Sequence, residues 1–149
     1  MKKAKDIMTT NVITVEPEMT VKEVSKLLSE HQISGAPVME DGEIIGIISD
    51  GDLINQGRKI EFPNYVYLLD SILYLESFKK FETNLKKMIG AKVRDVMTKD
   101  VITVDPETTV DDVATILAEE DIKRVPVTKD KELVGVISRG DIVAYLGED

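Results

Sequence analysis

Apolar and polar positions follow one order of spacings along the chain, and this order predicts strand, helix, strand, strand, helix. The β-branched run at 12–15 is typical of a strand. Residues 21–28 carry apolar side chains at helical spacing, directly after a threonine suited to cap a helix. Two short apolar runs at 36–39 and 44–48 flank a polar turn and predict a hairpin, after which a second helix begins.

This series of elements occurs twice. Residues 6–54 align with 95–143 at a constant offset of 89 without a gap, and 24 of the 49 aligned positions are identical. Such a match is a duplication rather than an effect of composition. The sequence therefore predicts an α+β fold of two βαββα repeats, at 1–54 and 92–149. Since a unit of about fifty residues buries little core, we expect the two repeats to pack through their sheets with pseudo-two-fold symmetry.

The segment 55–91 has no counterpart in the duplication and is predicted to be a helical insertion. After Pro63, apolar residues recur every three or four positions, which indicates one kinked amphipathic helix or two helices. This stripe either covers the chain's own core or forms a dimer interface. Its members are Tyr65, Leu68, Ile72, Leu75, Phe78, Phe81, Leu85 and Met88.

Composition excludes several classes of function. The 149 residues include no cysteine and a single histidine, so thiolate chemistry is absent and no metal site is predicted. The formal net charge of −9 argues against nucleic-acid binding. No apolar run reaches the roughly 18 residues of a membrane span, and the N-terminal segment lacks the apolar stretch of a signal peptide. We therefore expect a cytoplasmic protein without membrane or nucleic-acid partners.

A G-x-x-S-x-x-D motif ends the hairpin of each repeat, with Ser49 and Asp52 in the first and Ser138 and Asp141 in the second. The start of a helix offers unpaired backbone N–H groups to an anion, and an aspartate can accept from both hydroxyls of a ribose. We expect the motif's glycine to let a ligand approach the backbone. Ser-x-x-Asp is also an ordinary capping box that needs no ligand. Two copies at equivalent positions favour the binding interpretation.

The ordered motifs Asp-Val-Met-Thr (95–98), Val-Ile-Thr-Val-Asp-Pro (101–106), Arg-Val-Pro-Val (124–127) and Gly-Val-Ile-Ser-Arg-Gly-Asp (135–141) resemble a cystathionine-β-synthase-type (CBS) domain. Residues 6–54 show the same series. The resemblance implies obligatory pairing of two repeats, a cleft between them that binds adenosine derivatives, and assembly into a homodimer. The insertion lies outside the family pattern.

The resemblance also implies roles for individual residues. The motif aspartates would hold the ribose and the motif serines would bind ribose or phosphate. The x-Pro-Val strands would line the adenine, with the first-strand threonines nearby. Carried over to this chain, these positions are Asp52, Asp141, Ser49, Ser138, Ala36, Val38, Val125, Val127, Thr14 and Thr103.

The two motifs differ in charge. The second repeat has Arg139 where the first has Asp50, and Lys123-Arg124 where the first has Ser34-Gly35. A phosphate would be attracted by Arg139 and by Lys123 or Arg124 but repelled by Asp50. The alternative is that these basic side chains pair with surface acids. On the first interpretation the second repeat binds the phosphorylated ligand more tightly.

The sequence thus points to a regulatory module that binds an adenine nucleotide (AMP, ADP or ATP) as a ligand, uses no cofactor, and signals in trans to an unknown regulated protein. It offers binding groups but no reacting group, so no enzymatic activity is expected. Two alternatives stay open. One is a ligand-free interaction or assembly module, and the other is a sensor of S-adenosylmethionine or another adenosyl ligand.

Overall fold

The computed structural model describes residues 1–57, 79, 82–83, 86–87 and 89–148. The predicted α+β class is confirmed in these residues by two antiparallel strand pairs and by six helices, besides the helical residues of the insertion. The helices are α1 (Ala4–Ile7), α2 (Val21–Glu30), α3 (Asp50–Gly57), α4 (Val93–Val96), α5 (Val110–Glu119) and α6 (Arg139–Leu146). The strands are β1 (Gly35–Glu40) and β2 (Glu43–Ser49), which pair, and β3 (Arg124–Lys129) and β4 (Glu132–Ser138), which pair.

The chain folds into two compact units, and these units divide it differently from the sequence repeats. The first unit contains 1–14, 39–46 and 99–149, whereas the second contains 15–38 and 47–98. The first residues of each repeat, 1–14 and 92–98, therefore belong to the unit that holds most of the other repeat.

In the first unit, α1 docks on the start of α5. The N–H groups of Ala4 and Lys5 donate to the carbonyls of Thr108 and Pro106 at 2.7 and 3.0 Å. Ala4 is fully buried in the core of this unit, and Lys3 and Lys5 form ion pairs with Glu107. Its buried apolar residues, within the described part of the chain, are Ala4, Val104, Val110, Val113, Leu117, Val125, Val127 and Ile137.

In the second unit, α4 docks on the start of α2 by the same contacts, shifted by 89 residues. The N–H groups of Val93 and Arg94 donate to the carbonyls of Met19 and Pro17 at 2.9 and 3.0 Å. Lys92 and Arg94 pair with Glu18 at 2.8 and 3.0 Å. Among the described residues of this unit, the buried apolar ones are Val15, Val21, Val24, Leu28, Ala36, Val38, Ile48 and Val93.

The predicted first strand of each repeat is reduced to a single parallel bridge, Val15 with Val38 and Val104 with Val127. The N–H groups of Val15 and Val104 donate to the carbonyls of Pro37 and Pro126, both at 3.0 Å. Because proline has no N–H group, these neighbours cannot return a hydrogen bond, which limits the ladder.

The predicted caps of the long helices are present. Thr20 and Thr109 are the N-cap residues of α2 and α5, and each hydroxyl accepts from a backbone N–H at 3.2 Å. Such a cap supplies about 1 kcal/mol to a helix.

Most of the predicted helical insertion lies outside the described residues. Of its described residues, 55–57 belong to α3, those at 79, 82–83, 86–87 and 89–90 are helical, and 91 is not. Glu82 and Lys86 lie one turn apart with their charged groups 3.7 Å from each other. No helix in the described ranges has the length and apolarity needed to cross a membrane.

Candidate functional site

The motif of the second repeat lies where β4 ends and α6 begins. Ser138 is the N-cap of α6, and its hydroxyl accepts from the N–H of Asp141 at 3.3 Å. In return the N–H and the hydroxyl of Ser138 donate to Asp141 Oδ2 at 2.8 and 3.1 Å. Ser138 and Asp141 therefore form a capping box. It engages only one carboxylate oxygen of Asp141, so it leaves the other oxygen available to a ligand.

The motif of the first repeat has the same internal geometry at the start of α3. The N–H and hydroxyl of Ser49 donate to Asp52 Oδ2 at 2.9 and 3.1 Å, and the N–H of Asp52 donates to Ser49 Oγ at 3.3 Å. One contact differs from the second repeat. The hydroxyl of Thr98 donates to Asp52 Oδ1 at 3.0 Å.

Arg139 at the start of α6 pairs with a surface acid. Its Nη2 donates to Asp121 Oδ1 at 3.1 Å, and its Nε donates to the carbonyl of Ile122 at 3.1 Å. The side chain of Asp121 is 95% exposed and that of Arg139 is half exposed. The alternative interpretation of this arginine, pairing with a surface acid, thus describes its geometry in this structure. The guanidinium still lies at the helix N-terminus, where an anion would be favoured.

The neighbours of Arg139 belong to the same unit. The carbonyl of Lys123 accepts from the N–H of Arg139 at 2.9 Å, so the loop before β3 is tied to the start of α6. Arg124 is the first residue of β3 and is half-buried. In the first repeat, the N–H of Asp50 makes the equivalent bond to the carbonyl of Ser34 at 2.8 Å. The backbone is thus alike in both motifs, but the charge is opposite.

The x-Pro-Val residues are core residues. The side chains of Ala36, Val38, Val125 and Val127 have no exposed surface. They pack into their units, so in this conformation they do not present their side chains to a ligand. That they line an adenine stays a prediction. In this conformation an adenine could contact these residues only through their backbone.

The first-strand threonines are exposed. Thr103 lies in the first unit together with Ser138 and Asp141. Thr14 also belongs to the first unit, whereas Ser49 and Asp52 belong to the second. Thr14 borders a cavity of about 400 Å³, lined by Thr10, Val12, Thr14, Met39, Gly42, Glu132 and Leu133.

The glycine of the second motif has a packing role that sequence reasoning missed. A Cβ atom on Gly135 would lie 2.5 Å from the sulfur of Met8 and 3.0 Å from the carbonyl oxygen of Thr9. The expected space for a ligand beside this backbone is therefore filled by the N-terminal segment, whose Thr9 pairs with Val136. The lack of a Cβ atom at Gly135 lets the N-terminal backbone approach β4 closely.

Two residues at the motifs, Thr98 and Asp121, were not predicted from the sequence. Thr98 ends the Asp-Val-Met-Thr run, which was assigned to the second repeat, although the segment packs with the first-repeat motif. Asp121 belongs to an acidic run at the end of a helix, where its partner Arg139 is 18 residues away. Its φ of 51° lies in the left-handed region that Asp tolerates.

Comparison with known proteins gives consistent results. The family model described as CBS domain matches residues 4–58 and 93–148. The uncharacterized protein MJ1426 of Methanocaldococcus jannaschii is 34% identical, with 95% of this chain and 89% of that protein covered.

Solved structures of CBS-domain proteins share the fold of this chain. CBSX2 from Arabidopsis thaliana in complex with AMP superposes with a TM-score of 0.74 at 26% identity, covering 98% of this chain and 96% of that one. The CBS domain pair of protein MJ0100, in complex with 5-methylthioadenosine and S-adenosyl-L-methionine, gives a TM-score of 0.70 at 26% identity, covering 98% of this chain and 100% of that one. With both repeats matched by the family model and the fold shared with these pairs, the chain belongs to the CBS-domain family.

Proposed function

We propose that this protein is a regulatory module that binds an adenine nucleotide at its Ser-x-x-Asp motifs and signals to a partner protein in trans. The observation that carries the proposal is the state of Asp141, whose Oδ2 is fixed by Ser138 while Oδ1 accepts from no described residue. A carboxylate held at a helix start with one free oxygen is suited to accept the hydroxyl groups of a ribose.

The solved relatives support the choice of an adenosyl ligand. AMP, 5-methylthioadenosine and S-adenosyl-L-methionine, named in those complexes, share an adenosine moiety and differ at the 5′ position. The shared part matches the ribose-binding role of Asp141. Arg139 beside the helix start favours the phosphate of a nucleotide over an uncharged 5′ group.

A sensor of S-adenosylmethionine is the second candidate, and the complexes of MJ0100 favour it. Its sulfonium group carries a positive charge, which Arg139 would repel. The ion pair with Asp121 offsets this repulsion, so the arginine alone does not exclude that ligand. Relative affinities for AMP and S-adenosylmethionine separate the two candidates.

Regulation requires that the ligand bind two conformations of the protein unequally. We propose that the output is a homodimer arrangement or a contact with a cytoplasmic partner protein. Exposed apolar side chains on α6, Val143 and Leu146, are 68% and 74% exposed and are suited to such a contact. Light scattering of the full chain and of Leu146→Glu tests the dimer, since a monomeric wild-type protein would contradict it.

A thermal-shift panel with AMP, ADP, ATP, S-adenosylmethionine, adenosine and GMP tests the ligand. A ligand at 100 times its Kd stabilises the folded state by about 2.7 kcal/mol, so an adenine nucleotide should raise Tm by several degrees while GMP does not. Calorimetry with Asp141→Ala should then show the loss of the tighter site.

Because Asp141 also caps α6, Thr109→Ala is the matched control. It removes the cap of α5 without touching the motif, and it should lower Tm while leaving the nucleotide Kd unchanged. No shift with any adenosyl ligand at millimolar concentration would overturn the proposal and favour a ligand-free assembly module.

A further inference from the structure

The carboxylates of Asp52 and Asp141 differ in the acceptor capacity they leave for a ligand. A carboxylate has about four lone-pair positions, two on each oxygen. In both motifs the N–H and hydroxyl of the serine donate to Oδ2 at 2.8–3.1 Å and occupy that oxygen. The acceptor capacity that each aspartate leaves for a ligand therefore depends on the donors that reach Oδ1.

At Asp52, Oδ1 already accepts from the hydroxyl of Thr98 at 3.0 Å. The donor is held in position by the backbone, because the N–H and carbonyl of Thr98 exchange hydrogen bonds with Ile47, both at 2.9 Å. Asp52 itself is fixed by Ser49. The contacts from described residues therefore leave one lone-pair position on Oδ1.

The second motif has the same backbone but lacks the hydroxyl contact. Thr9 occupies the position equivalent to Thr98 and exchanges backbone hydrogen bonds with Val136 at 2.9 and 3.0 Å. Nevertheless, no side chain within the described ranges donates to Asp141 Oδ1. The described residues therefore leave both lone-pair positions of that oxygen open.

We infer that Thr98 is a specificity-determining residue: its hydroxyl occupies an acceptor position on Asp52 that a ribose would use, and so makes the first-repeat motif the weaker site for an adenosine ligand. The inference rests on the proposed function. Asp141 can accept from both the 2′ and 3′ hydroxyls, whereas Asp52 can accept from one of them unless Thr98 gives way. Thr98 acts through Asp52 and need not touch the ligand.

The inference concerns the ribose and is independent of the charge difference between Arg139 and Asp50. It therefore applies to adenosine itself, which carries no phosphate. One hydrogen bond is worth about 0.5–1.5 kcal/mol net, so the expected effect is a roughly two- to tenfold change in affinity.

The test is titration calorimetry with adenosine in an Asp141→Ala background, in which residual binding comes from the first-repeat motif. Adding Thr98→Val removes the hydroxyl at nearly constant shape and should tighten adenosine two- to tenfold. Adding Thr98→Ser instead restores a hydroxyl and should return the Kd to that of the parent. Thr9→Val is the matched control and should leave the Kd unchanged.

A second measurement distinguishes this role from a merely structural one. In the parent, 2′-deoxyadenosine should bind almost as well as adenosine, because Asp52 can accept from only one ribose hydroxyl. With Thr98→Val the two ligands should differ two- to tenfold. Adding Asp52→Asn to Thr98→Val should abolish the gain.

An unchanged Kd for adenosine with Thr98→Val, or an equal gain with Thr9→Val, would overturn the inference while leaving the proposed function intact. If neither the wild type nor any variant binds adenosine or AMP, while circular dichroism shows folded protein, the proposed function fails and the inference fails with it.

Discussion

Arg139 and Asp121 form an ion pair, with Nη2 of the arginine 3.1 Å from Oδ1 of the aspartate. The pair joins the start of α6 to the loop that follows α5. A nucleotide phosphate arriving at the helix start would compete with this carboxylate for the guanidinium. At the second-repeat motif, Arg139 therefore favours phosphate binding, whereas Asp121 opposes it.

We predict that Asp121→Asn tightens AMP binding by up to about fivefold, because an exposed ion pair is worth roughly 0.2–1 kcal/mol. Asparagine tolerates the left-handed backbone at this position, where φ is 51°. Arg139→Ala should weaken AMP far more than adenosine. Titration calorimetry with both ligands measures the effect.

Asp130→Asn is the control for the change in net charge, since Asp130 has nearly the same φ, 52°, and no ion pair with any described residue. It should leave the Kd for AMP unchanged. Equal binding of AMP by wild type and Arg139→Ala would contradict a phosphate role for the arginine.

Two glycine-to-alanine substitutions test the packing between the N-terminal segment and β4. We predict that Gly135→Ala lowers the free energy of unfolding by about 1–3 kcal/mol, because its Cβ would lie 2.5 Å from Met8 Sδ and 3.0 Å from the Thr9 carbonyl. Gly140→Ala is the control. Its Cβ would meet only Ser138 Oγ at 3.5 Å, so it should stabilise α6 by about 0.5–1 kcal/mol.

Urea unfolding of the two glycine variants measures both effects. Equal stability of Gly135→Ala and wild type would show that Met8 and the Thr9 segment move away at little cost, and that Gly135 is not required for packing.

Local pattern was enough to predict the hairpins, the long helices and the caps at Thr20 and Thr109. These features depend on residues close in sequence, whose spacing and hydrogen bonding are local. The serine–aspartate contacts of both motifs belong to the same class, since each spans three residues.

The exchange of segments between repeats could not be predicted in this way. Helix α1 has four residues, too few to show a periodicity, and its partner Thr108 lies about a hundred residues away. The contact of Thr98 with Asp52 follows from the same exchange. Burial of Val125 and Val127 was also missed, because apolar residues beside a motif fit a ligand surface and a core equally well.

The last prediction concerns the attachment of α1 in the first unit. Hydrogen bonds from Lys3 and Lys5, and their positive charges, lower the pKa of the Glu107 carboxyl to about 2 from its ordinary 4.5. A carboxyl with a depressed folded-state pKa stabilises the fold above its unfolded pKa and loses this contribution as the pH falls to the folded value. The contribution of Glu107 should thus be full above about pH 5 and absent near pH 2.

Glu107→Gln should therefore lower Tm at neutral pH, and the difference from wild type should shrink below pH 4.5 and vanish near pH 2. Because the pair is exposed, added salt should also reduce the difference. Glu18→Gln should also lower Tm at neutral pH and lose this effect as the pH falls, since hydrogen bonds from Lys92 and Arg94 lower the pKa of Glu18 as well. Glu43→Gln, at an exposed position without an ion pair to any described residue, should show no such pH dependence. A difference for Glu107→Gln that stays constant from pH 7 to pH 2 would mean that its two lysines do not hold the carboxylate in solution, and that α1 is held by Ala4 and its backbone bonds alone.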